Sequence, residues 1–127
     1  MELSRAKKIF GNYHQTHCRL DGGGCAAQFD KFPYIVGYSD YKSDSAIFTV
    51  IVQKSGSKFY QGAKIGMTYT QIKEIFGNFL GNLEENLADC DGTGYTEAEI
   101  NNLRYQFSFD GFQPSSKCTQ VYISENY

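Results

Sequence analysis

His14, His17, Cys18 and Cys25 are the densest run of potential metal ligands in the chain. The pattern His-x-x-His-Cys sets nitrogen and sulfur donors close together, and a structural zinc ion takes four such ligands. Between the cysteines, however, stands Asp21-Gly22-Gly23-Gly24, and three successive glycines do not hold a firm turn. A disulfide-pinned loop with two solvent-facing histidines fits the stretch better, and no metal is expected there. Asp89-Cys90-Asp91-Gly92-Thr93-Gly94 starts like a calcium loop, with Asp89, Asp91 and Thr93 at the first, third and fifth places and Gly94 at the sixth. The register then fails, because the twelfth place is Ile100 and Glu99 falls one residue early. An acidic turn ahead of a helix from Thr96 is the plainer expectation.

Enzyme chemistry finds little material. The glycine run lacks the preceding strand and the following Lys-Ser/Thr of a phosphate loop. Cys18 beside His17 is adjacent only in sequence, which does not make a catalytic dyad. No catalytic residues and no cofactor are expected. Net charge is −2 and the basic residues are scattered, so there is no electrostatic footprint for nucleic acid. No apolar run is long enough to span a membrane, and Met1-Glu2-Leu3-Ser4 is not the start of a signal peptide. Four cysteines (Cys18, Cys25, Cys90 and Cys118) in 127 residues without Trp point to a secreted or cell-envelope domain with two disulfides. Three pairings are open. An exported chain would have shed its leader ahead of Met1.

The elements that must position these residues follow from periodicity. Residues 1–12 read as an amphipathic helix with Leu3, Ala6, Ile9 and Phe10 on one face, followed by a loop to Gly24 and a second helix over Cys25–Phe32. Period two begins at Tyr34, and with Ile47–Gln53 it predicts a hairpin. Thr68 and Gln71 form a capping box ahead of Ile72, Ile75 and Phe76, and Gly77 is a natural stop. Helical spacing continues through Phe79, Leu80, Leu83 and Leu87, and Thr96 with Glu99 marks a further short helix to Leu103. Strands then follow from Tyr105 and from Cys118.

Met1–Asn12 lies over Met67–Asn78 without a gap, sharing Met, Lys, Ile, Phe, Gly and Asn, and residues 32–52 slide over 103–123 with the alternation in phase. The chain therefore reads as one domain, 1–127, made of repeat one (1–53), a linker (54–61) and repeat two (62–127). With Gly66-Met67-Thr68 opening the helix and a cysteine loop before the strands, it resembles the β-lactamase inhibitory protein fold. The helix motif alone also resembles BamE-type small lipoproteins. The resemblance implies an α+β fold of two tandem helix-plus-antiparallel-sheet repeats, helices packed on one face of the sheet. It implies disulfides inside each half, Cys18–Cys25 and Cys90–Cys118, and a sheet face that grips another protein.

Tyr34, Val36, Tyr38, Tyr105, Phe107 and Phe109, with Val50, Val52, Val121 and Ile123, share the core phase. The opposite face carries Ile35, Thr49, Ile51, Gln106, Ser108, Asp110, Gln120 and Tyr122. A few large apolar groups among polar neighbours suit a protein contact. Ile35, Ile51 and Tyr122, with Tyr41 and Phe112 at equivalent hairpin turns, are the expected partner-binding residues. The function expected is a small exported binding or inhibitory module that occludes a partner protein. A structural domain of a cell-envelope lipoprotein and a small metal-binding protein are the alternatives.

Overall fold

The computed structural model describes residues 5, 7, 8, 11–18, 25–29, 34–38, 47–87 and 92–125. The chain forms two compact units, Met1–Ile51 and Val52–Tyr127.

In the first unit Arg5, Lys7 and Lys8 are helical and exposed. The turn closes on Gly11, which has φ 86 and donates its N–H to the Lys7 carbonyl at 2.9 Å. Four strands follow: β1 (Tyr13–Cys18), β2 (Cys25–Phe29), β3 (Ile35–Tyr38) and β4 (Ile47–Val52). Each is antiparallel to the one before it. The expected helix over Cys25–Phe32 is strand β2 instead. Its two alanines favour a helix locally, but Cys25, Ala27 and Phe29 are buried while Ala26 and Gln28 are half-buried. That alternation serves a sheet face, and pairing to strands on both sides outweighs a preference of a few tenths of a kcal/mol.

The second unit opens with a tight hairpin, β5 (Lys58–Tyr60) and β6 (Ala63–Lys64). The segment 54–61 is part of it: Gly56 N–H donates to Ile65 O, and Ile65 N–H returns to Ser57 O, both at 3.0 Å. Helix α1 (Tyr69–Phe76) begins at the expected capping box, since Gln71 N–H donates to Thr68 Oγ1 and Thr68 N–H to Gln71 Oε1. It ends at Gly77, whose φ 62 and ψ −134 leave the helical region. A single 3-10 turn (Gly77–Phe79) follows, then β7 (Glu84–Glu85), β8 (Gly94–Ile100), β9 (Leu103–Phe109) and β10 (Cys118–Glu125). These pair antiparallel in the order β7, β8, β9, β10.

The α+β expectation is overturned. The described residues are mostly antiparallel sheet, and α1 is the single short helix delimited among them. Two segments account for much of the difference in the second unit. Phe79, Leu80, Leu83 and Leu87 keep helical spacing but not a helical face, for Leu80 is buried while Phe79 and Leu87 are exposed. Thr96 and Glu99 do not cap anything: Thr96 is buried and Glu99 exposed, on opposite faces of β8. Asn101 (φ 53) and Asn102 (φ 65) then form a two-residue left-handed turn into β9, the geometry that matches strand twist in a hairpin.

The core of this unit is aromatic. Phe76 of α1 stands perpendicular to Phe107 at 5.3 Å between centroids and edge-on to Tyr105 at 5.5 Å. Tyr60 and Phe59 of β5 close the cluster against Phe76 and Phe107. Phe107, Phe109, Ile72 and Val121 are wholly buried, so the core phase expected for β9 and β10 is the one the structure adopts.

Candidate protein-binding face

Once Gly94, Thr96, Ala98 and Ile100 turn inward, strand geometry sends Tyr95, Glu97 and Glu99 outward. Register extends this face over the neighbouring strands. Glu99 sits opposite Arg104, which sits opposite Ser124. Glu97, Gln106 and Tyr122 make the next row, and Glu84, Tyr95, Ser108 and Gln120 the third, the last two through the Ser108 pairings.

The centre of the face is locked by its own hydrogen bonds. Tyr95 Oη donates to Glu97 Oε2 at 2.6 Å, Arg104 Nη2 donates to the same oxygen at 2.8 Å, and Gln106 Nε2 donates to Tyr95 Oη at 3.2 Å. The Glu97 carboxyl is held below the usual range, first by the Tyr95 hydroxyl and then by the Arg104 guanidinium. Burial and the bond to Glu97 push the Tyr95 phenol up. Arg104 Nε–H is buried and unbonded. Beside this network Tyr122 is 39% exposed.

Of the residues expected to bind a partner, Ile35 and Ile51 are direct register partners across β3–β4, both half-buried, in the first unit. Tyr122 lies on the face just described. Phe112, 42% exposed, projects from the β9–β10 turn and is not opposite Tyr122. That turn is firm: Lys117 N–H donates to Asp110 Oδ1 at 2.8 Å, and Gln113 N–H to Ser116 Oγ at 3.0 Å. Tyr41 lies outside the described residues. Sequence reasoning missed Tyr95, Glu97, Glu99 and Arg104 on this face because it placed 96–103 in a helix. The available signal was the alternation from Gly94 to Ile100 ending in Asn101-Asn102.

The metal and disulfide expectations are reshaped. His14, His17 and Cys18 stand on strand β1, with a bulge between Gln15 and His17, and not in a loop. Gly92 and Thr93 lead into strand β8 where a calcium loop would lead into a helix, and Asp89, Cys90 and Asp91 lie outside the described residues. No group of three or more potential metal ligands occurs among the described residues. Cys18 and Cys25 are register partners. Cys118 is a free, buried thiol, so the Cys90–Cys118 bridge is not formed. Burial pushes its pKa up to about 12, because an apolar surround disfavours the thiolate.

No helix among the described residues is long and apolar enough to cross a membrane. Comparison with known protein families, curated proteins and solved structures finds no match, which leaves the chemistry of the face as the ground for assigning a function.

Proposed function

We propose that the chain is a small exported protein-binding or inhibitory module, not an enzyme, that occludes a partner with a sheet face and its loops. The observation that supports this is the β8–β10 face: an exposed tyrosine, Tyr122, next to an interlocked network of Tyr95, Glu97, Arg104 and Gln106. Ordering long side chains at an interface costs about 0.5–1.5 kcal/mol each, and a network formed before binding lowers that penalty. Aromatic anchors amid polar groups are also the usual energetic centre of a protein contact. Phe112 on its firm turn is a second anchor at the rim, and Ile35 with Ile51 supplies an apolar pair on the first unit. Export to the cell envelope or beyond is the expectation carried by the four cysteines.

Tyr122→Ala is the test. Immobilised protein and variant are compared for retention of a partner from extracts of the source cells. Retention should fall at least about tenfold, as for an aromatic anchor, with the melting temperature nearly unchanged. Unchanged retention would remove the β8–β10 face from the interface.

A further inference from the structure

We infer, on the protein-binding reading above, that the partner presents a basic side chain, arginine or lysine, to the β7–β10 face. The outward positions of β7 to β10 carry three carboxylates, Glu84, Glu97 and Glu99, against one guanidinium, Arg104, and no lysine. Arg104 is already engaged by Glu97 at 2.8 Å, which leaves Glu84 and Glu99 as exposed carboxylates at the two ends of the β7–β8 edge of the face. Tyr95 adjoins Glu84 across the β7–β8 pairing, and Tyr122 shares a row with Glu97. A cation over a tyrosine ring is held by the ring's negative face, and a neighbouring carboxylate adds to that attraction. The Tyr95–Glu97–Arg104 network keeps these groups in position, so an incoming cation meets a surface that needs little reordering. An acidic partner would be repelled by the excess of carboxylates over cations on this face.

The probes are two capped pentapeptides, Arg-Gly-Ser-Gly-Arg and Glu-Gly-Ser-Gly-Glu, titrated into the full chain labelled with nitrogen-15 at low salt. The arginine peptide should shift the amides of Tyr95, Glu97, Glu99, Gln106 and Tyr122, and the glutamate peptide should not. The double variant Glu84→Gln/Glu99→Gln should bind the arginine peptide about fivefold more weakly, the size expected for two exposed ion pairs. Equal response to both peptides, shifts spread over the other carboxylates, or undiminished binding by the folded double variant would each overturn the inference. Should the variant not fold, the shift map of the unaltered chain decides alone. Loss of Tyr122-dependent partner retention is scored separately. Retention without an arginine-peptide response overturns the basic partner and leaves protein binding standing. An arginine-peptide response without retention supports the charge preference and overturns protein binding.

Discussion

Glu97 is the residue on which the exposed face depends, because two donors converge on one of its oxygens. The hydrogen bond from the Tyr95 hydroxyl is the largest single cause of its lowered pKa, followed by the hydrogen bond and then the charge of Arg104. Tyr95→Phe and Arg104→Ala should therefore each raise the Glu97 pKa, as followed by carbon-13 NMR of the carboxyl. Because the folded-state pKa lies below the unfolded one, the stabilisation is present above the unfolded carboxylate range and lost as pH falls through the folded value. Cys118 has the opposite sense. Its thiol is raised from 9.0 to about 12, so stability it contributes below pH 9 is lost as pH climbs through the folded value. At pH 8 the raised pKa cuts its thiolate fraction by roughly a thousandfold. Iodoacetamide followed by peptide mapping should leave Cys118 unmodified in the native protein and modify it in guanidinium.

Strand β8 is the element that makes the face, and its entry is the most constrained point in the second unit. A Cβ at Gly94 would fall on the Gly111 carbonyl oxygen and within 2.9 Å of Leu83 Cδ1. The first of these is backbone in the β9–β10 turn and cannot swing aside. Gly94→Ala should cost about 1–3 kcal/mol, the range for overpacking a tight site, read as a lower midpoint in urea unfolding. The other edge of β8 is covered economically. Gly81 N–H donates to Glu97 O at 2.9 Å, Leu80 bridges Ala98, and Lys73 Nζ and Tyr69 Oη tie the Leu80–Gly81 carbonyls back to α1. The two-residue strand β7 adds Glu84 and Glu85, whose charges discourage edge-to-edge pairing with other chains.

For the whole molecule, a predominantly antiparallel sheet has a direct spectroscopic signature. Far-UV circular dichroism should show a single sheet minimum near about 217 nm, without the paired minima that three or four helices would give. Each compact unit carries a four-strand antiparallel run, β1–β4 and β7–β10.

Much of this was legible in the chain alone. Thr68 and Gln71 located the start of α1 and Gly77 its end, since a capping box and a left-handed stop are local interactions that need no tertiary partner. The alternation of Tyr105, Phe107 and Phe109 set the buried side of β9, because a strand's period of two is intrinsic to its backbone. Tertiary structure alone decided Cys25–Phe29 and Gly94–Ile100. Ala, Gln and Glu favour a helix by a few tenths of a kcal/mol per residue, and only pairing with β1, β3 and β9, together with the burial of one face, tips them into strands. The network of Tyr95, Glu97, Arg104 and Gln106 followed from that choice. Residues seven and eleven apart in sequence become neighbours only when Asn101 and Asn102 fold β9 back along β8.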